Sequence, residues 1–238
     1  MIARLRTVLA LSALLLVAHR VPANPNPELT ETEQRWLDGA TPAIAWGMRQ
    51  GLPIDVVVLP KARAGDAPLA LGWSEGRCML VFAMRGNPAA EATLDAIPAA
   101  MMQATIEAMA AHEIAHCQRH RSGAFASLPA GQADQPDRIE TSQPTAELKA
   151  IAHEMRVSRR EEAYADLVGL AWTRARHPEQ FAQVLAWFDH ARADETERGF
   201  HDTRHWLALA HEGDAFADAA RTPFEQALAM WQRGLRDD

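Results

Sequence analysis

Ala110-Ala111-His112-Glu113-Ile114-Ala115-His116-Cys117 is the stretch whose reading decides the fold. It lies in an alanine-rich run from Pro98 to Arg121 with Gly123 just beyond, a composition that favours helix and a glycine where helices commonly end. On a helix, residues four apart differ by only about 40° around the axis, so His112 and His116 share a face with Glu113 beside them. Two imidazoles so placed can bind one tetrahedral Zn²⁺ while the glutamate serves as base toward its bound water, the chemistry of the HExxH pattern. His153-Glu154 and His211-Glu212 repeat the dipeptide, but Val157 and Ala215 stand four after each histidine, so both pairs read as surface helix residues. With ten histidines in the chain, a shuffled sequence would carry the pattern on the order of a few per cent of the time. A second signal is needed.

Catalytic zinc normally takes a third protein ligand and leaves one position for water. The metzincin arrangement would need glycine and histidine where Arg119 and Ser122 stand, so the ligand must come from elsewhere. Downstream, Ser158-Arg159-Arg160-Glu161-Glu162-Ala163-Tyr164-Ala165-Asp166 reads as a second helix with Glu162 and Asp166 four apart on one face. Glu162 can bind the metal while Asp166 accepts an imidazole N–H and fixes the tautomer of a zinc histidine. Glu161 points about 100° away and is expected to face solvent; Tyr164, the one tyrosine, lies about 200° from Glu162 and is expected to pack. His120 extends the 112, 116 stripe, but beside Arg119 and Arg121 it reads as a cation at the helix C-terminus. Met101, Met102 and Met109 read as core filler.

With both motifs in hand, the chain resembles the gluzincin metallopeptidases that include the CAAX prenyl proteases and the bacterial heat-shock zinc protease. Their second motif runs S-R-x-x-E-x-x-A-D, matched here by Ser158, Arg159, Glu162, Ala165 and Asp166, in the same order after HExxH. The resemblance spans roughly residues 78–174. It implies zinc ligands His112, His116 and Glu162, a catalytic base Glu113, and a zincin-like fold. The family's membrane helices are absent, so the resemblance points to soluble exported members acting in periplasmic proteolysis and envelope quality control. The family also carries a histidine beyond its third ligand, usually followed by proline. His201 stands in a comparable stretch, Gly199-Phe200-His201-Asp202-Thr203, with Asp202 in place of the proline and Asp202 or Thr203 able to cap a helix. It is either a donor to the developing oxyanion or a surface histidine.

Working outward, the N-terminus has a charged segment from Met1 to Arg6, an apolar stretch from Thr7 to Ala18 and Val21-Pro22-Ala23, the features of a secretory signal peptide over residues 1–23 with cleavage after Ala23. The apolar run falls short of the roughly 20 residues of a spanning helix; a retained N-terminal membrane anchor is the alternative. Cleavage removes three arginines and no acid, leaving 21 basic and 31 acidic side chains. The mature chain is expected to be periplasmic or secreted, without a stable membrane span. In an oxidising compartment Cys78 and Cys117 are a candidate disulfide, the alternative being two buried free thiols.

Two elements precede the motif region. Thr30 to Glu33 has capping-box spacing and Thr41-Pro42 resembles a second helix start, so a helical pair ending near Gly51 is expected. The β-branched run from Ile54 to Leu59 and the apolar runs Leu69 to Trp73 and Cys78 to Met84, the last two flanking Ser74 to Arg77, read as a small antiparallel sheet containing a hairpin, with Cys78 to Met84 as its edge strand. Residues 122–145, rich in proline, glycine and polar residues, read as a long loop, either a lid or a disordered insertion.

The expected fold is α+β, mostly α, with residues 24–238 forming one domain and a small sheet packed on the active-site helix. A net charge of −7 and only two lysines, Lys61 and Lys149, argue against nucleic acid as a partner. The function these signals imply is a zinc endopeptidase carrying one zinc per chain and acting on protein or peptide substrates. A zinc-stabilised binding or chaperone-like protein without turnover is the alternative, and an intact Glu113 disfavours it.

Overall fold

The computed structural model describes residues 28–63, 65–132, 145–193 and 199–236. The signal peptide expected over residues 1–23 lies outside them. Among the described residues seven α-helices and three strands follow in the order α1 (Glu31–Arg49), β1 (Ile54–Val58), β2 (Leu69–Ser74), β3 (Arg77–Phe82), α2 (Pro88–Ala96), α3 (Met102–Arg121), α4 (Ala146–Arg176), α5 (Phe181–Ala193), α6 (Arg204–Ala210) and α7 (Pro223–Gly234). The architecture is α+β and mostly helical. No described helix is long and apolar enough to cross a membrane.

The motif helix α3 lies at the centre, against α1, α4 and the sheet. Ala104, Ala108, Ala110, Ala111, Ile114 and Ala115 are wholly excluded from solvent, as a helix apolar on nearly every side requires. Small side chains let the neighbours come close. One such approach is at Gly169 of α4, where a Cβ would stand 2.7 Å from the Ala108 carbonyl oxygen.

At the N-terminus of α1 the Thr30 hydroxyl accepts the Glu33 N–H at 3.2 Å and the Glu33 carboxylate accepts the Thr30 N–H at 2.7 Å, the reciprocal cap its spacing predicts. The expected break at Thr41-Pro42 is absent: α1 runs through Pro42 as one helix. An internal proline costs about 3 kcal/mol. Trp36, Ala40, Ala43, Ile44 and Gly47 form one buried stripe on either side of it, and continuous packing against α3 offsets that local penalty.

The sheet order is β1-β3-β2. β2 and β3 form an antiparallel hairpin whose turn places Glu75 (φ 52°) and Gly76 (φ 75°) in the left-handed region, as two-residue hairpin turns demand. β1 pairs parallel to β3, Ile54 opposite Cys78 and Val58 opposite Phe82, so the sheet is mixed rather than antiparallel. β3 is correspondingly the middle strand and not the edge. Cys78, Leu80 and Phe82 are fully buried, and a strand sunk that deeply needs backbone partners on both sides.

Cys78 on β3 and Cys117 on α3 form a disulfide with Cα atoms 5.7 Å apart, which decides between the bridge and the free thiols. It ties the sheet to the motif helix one residue after His116. For the 39-residue separation, loop closure implies stabilisation of roughly 3–4 kcal/mol. The Cys78→Ala/Cys117→Ala double variant should lose about that much in denaturant unfolding. Native protein should show no alkylatable thiol until reduced; two reactive thiols in unreduced protein from its own compartment would contradict the bridge. Of the long loop, residues 122–132 are turns, and 133–144 lie outside the described residues.

Candidate metal centre

Met109, His112, His116 and His120 recur along α3 at spacings of three and four, and with Glu113 beside them they form a stripe that faces open space. They line a groove of about 870 Å³ walled by β2, α2 and α5, with Leu69 to Leu71 on the β2 side and Trp187, Phe188 and Arg192 on the α5 side. Glu162, from α4, enters the same groove.

Ligand-type atoms of His112, His116 and Glu162 all lie within 4.8 Å of one another. His112 Nε2 and His116 Nε2 are 3.2 Å apart, and the Glu162 carboxylate stands 3.4 Å from the first and 3.5 Å from the second. Their side chains are only 10%, 12% and 17% exposed, so bulk water does little to relieve so close a gathering of lone pairs and charge. This group can hold a metal ion. It unites the three residues in which the two sequence motifs converge.

Behind it, His112 Nδ1 donates to Asp166 Oδ1 at 2.8 Å, which directs Nε2 toward the cluster. Asp166 is fully buried and accepts three further hydrogen bonds. Arg192 of α5 donates from Nε at 2.9 Å and Nη2 at 2.8 Å, and Thr203 donates its hydroxyl at 2.6 Å. Arg192 also reaches Glu162 at 3.4 Å. Neither Arg192 nor Thr203 was singled out as a site residue by the sequence motifs. Thr203 precedes α6 but makes no side-chain cap; its hydroxyl goes to Asp166, while Asp202 accepts from the Arg204 backbone at 3.4 Å.

The electrostatics favour a cation where the ligand atoms meet. Burial alone would disfavour the His112 imidazolium, but hydrogen bonds to Asp166 and Glu162 outweigh it and raise the ring to about 10. The Glu162 carboxyl, despite its own burial, is held well below its usual range by the two histidines. Asp166 is lowered to about 2: burial opposes its charge, and Arg192 and His112 prevail. Glu113 moves the other way, pushed up by burial against the pull of His112 and His116. A carboxylate with a raised proton affinity at the groove is suited to general-base work.

Other expectations fall differently. His201 lines the groove, so the structure brings it to the same space as the cluster. Tyr164 is buried with its hydroxyl on Gln118 at 3.1 Å and its ring edge-on to Trp231, a packing residue. Glu161 does not face solvent. It is 4% exposed, grips Arg119 at 2.6 and 3.2 Å, and accepts the Ala126 N–H at 3.0 Å, because the loop after α3 and Trp231 of α7 cover that side of α4. Arg119 is buried too, over the Tyr164 and Trp231 rings. His120 is stacked between aromatic neighbours on the groove instead of serving only the helix terminus, and Met109 lines the groove as well as packing on the core. His153, Glu154, His211 and Glu212 are exposed.

No family model, no curated protein and no solved structure matches the chain. The chemistry of the groove therefore carries the functional conclusion.

Proposed function

We propose that the chain is an exported zinc-dependent endopeptidase. The observation that carries this is the convergence of His112, His116 and Glu162 with Glu113 beside them in an open groove. The donor set fits zinc: two imidazole nitrogens and one carboxylate, with the His112 ring oriented by a buried carboxylate. The charge balance fits a dication as well, since Glu113, Glu162 and Asp166 bring three carboxylates to the place where Arg192 meets Glu162 and Asp166. When bound there, zinc supplies Lewis acidity toward a water and the scissile carbonyl. Glu113 takes the water's proton on its carboxylate and later hands it to the leaving amine. Asp166, held by Arg192 and Thr203, keeps His112 in one tautomer and one orientation.

β2, the outer strand on the groove side, offers its backbone to an extended peptide, a mode of recognition that tolerates many sequences. The two-motif resemblance to the gluzincins, the disulfide and the N-terminal leader pattern support action outside the cytoplasm. Digestion of a reduced, carboxymethylated protein tests the activity: cleavage should stop with a chelator and return with zinc, and chelator-insensitive cleavage would contradict the assignment.

His201 extends the scheme. From the turn that follows Gly199 it lines the groove, and its proposed role is to donate to the carbonyl oxygen as charge develops. His201→Ala should keep its zinc and fold while turnover drops by about 10- to 1,000-fold, with His205→Ala much milder. Unchanged turnover in His201→Ala at saturating substrate across the pH range would remove it from the mechanism.

A further inference from the structure

We propose that Phe125, with the aromatic stack behind it, is a specificity-determining wall of the groove that receives one aromatic side chain of the substrate; this rests on the endopeptidase assignment. Phe125 is 39% exposed and lines the groove. Its ring is stacked on His120, centroids 3.8 Å apart and planes 10° apart, and His120 is stacked in turn on Trp73 of β2 at 5.3 Å and 7°. The same phenyl ring meets His116 edge-on, centroids 6.3 Å apart. Three rings thus join the outer strand, the motif helix and the loop after it, next to a metal-ligand candidate.

An apolar ring left open to water is held here by a closely tied loop that includes one residue in a costly backbone conformation. The Ala124 and Phe125 N–H groups donate to the Arg119 carbonyl at 2.9 and 3.1 Å, and Arg119 Nη2 donates to the Ser127 carbonyl at 2.8 Å. Ala126 N–H donates to Glu161 at 3.0 Å, with Ala126 at φ 59°, a region non-glycine residues seldom adopt. A buried ion pair and a strained residue together fix the loop so that Phe125 faces the groove. Strain of this kind persists only where the surroundings over-determine it, and it concentrates where ligands are gripped.

The chemistry of the surface selects its occupant. The carboxylates and guanidinium lining the groove, Glu113, Glu162 and Arg192, gather at the candidate ligands, whereas Phe125 presents an uncharged π-face. Aromatic rings meet such a face by offset or edge contacts that an alanine side chain cannot make. An extended peptide advances about 3.3 Å per residue, so a ring 6.3 Å from that of His116 is reached from within two residues of the cut bond.

Peptides taken from bonds the wild type cuts in an unfolded protein, each paired with versions carrying Phe or Ala at every position within two residues of the bond, test this through kcat/KM. At one position the wild type should prefer Phe over Ala by about 10- to 100-fold, and Phe125→Ala should bring that ratio within about threefold. Phe125→Tyr should retain the preference, and zinc content and melting temperature of Phe125→Ala should match wild type. If Phe125→Ala does not fold, Phe125→Leu, which keeps bulk and removes the ring, makes the same comparison. A wild-type preference that persists without the ring, or wild-type cleavage with no such preference, would overturn the inference. A zinc-loaded wild type that cuts nothing would instead overturn the endopeptidase assignment beneath it.

Discussion

Glu113→Gln should abolish digestion of an unfolded protein, by about 100- to 10,000-fold, while its zinc content stays that of the wild type. The glutamine keeps the size of the side chain and its place on the groove face of α3 but has no lone pair basic enough to take a proton. Glu113 itself is poised for the task, since burial raises its proton affinity beside the ligand cluster. Neither of the two carboxylates at the ligand and orienting positions is free to replace it: Glu162 stands against both imidazoles, and Asp166 is occupied by His112, Arg192 and Thr203. Hydrolysis by Glu113→Gln within tenfold of wild type would remove the glutamate from the base role. Loss of zinc in that variant would instead make it a ligand.

Two neighbouring glutamates should give opposite phenotypes. Glu162→Ala should lose zinc with the fold intact, because Asp166, Arg192 and Thr203 still hold one another without it. Glu161→Ala should keep the ligand set yet unfold about 3–5 kcal/mol earlier, since it strips the buried Arg119 guanidinium of its carboxylate and frees the Ala126 N–H. Both the Arg119 and Glu161 side chains are at most 6% exposed, so water cannot replace the lost partner cheaply. Metal analysis and denaturant unfolding of the two variants separate the cases. Zinc loss in Glu161→Ala with zinc retention in Glu162→Ala would shift the ligand by one residue.

The two helices carrying the chemistry were legible because their signals are local. His112, Glu113 and His116 sit at a helical spacing that places them on one face whatever the rest of the chain does, and Glu162 and Asp166 obey the same rule. What lies against each face was not legible. Helix geometry sets Glu161 about 100° from Glu162, but the far side of α4 does not meet solvent, because the loop after α3 and Trp231 cover it. Arg192 and Thr203 reach Asp166 from 26 and 37 residues away, a pairing that no spacing rule joins to either motif. The hairpin between β2 and β3 carries its own turn signal; the parallel pairing of β1 with β3 carries none, so local sequence does not distinguish β3 as middle strand from β3 as edge. Pro42 shows the same limit, a local breaker overridden by the packing of α1 on α3.

The most direct test of the metal centre is the zinc content of the purified mature chain, measured by elemental mass spectrometry alongside His112→Ala and Glu113→Gln. The geometry of His112, His116 and Glu162 predicts one zinc per wild-type chain, one in Glu113→Gln and none in His112→Ala. A correctly folded wild type that takes up no zinc, or a His112→Ala variant that binds it as tightly, would contradict the account.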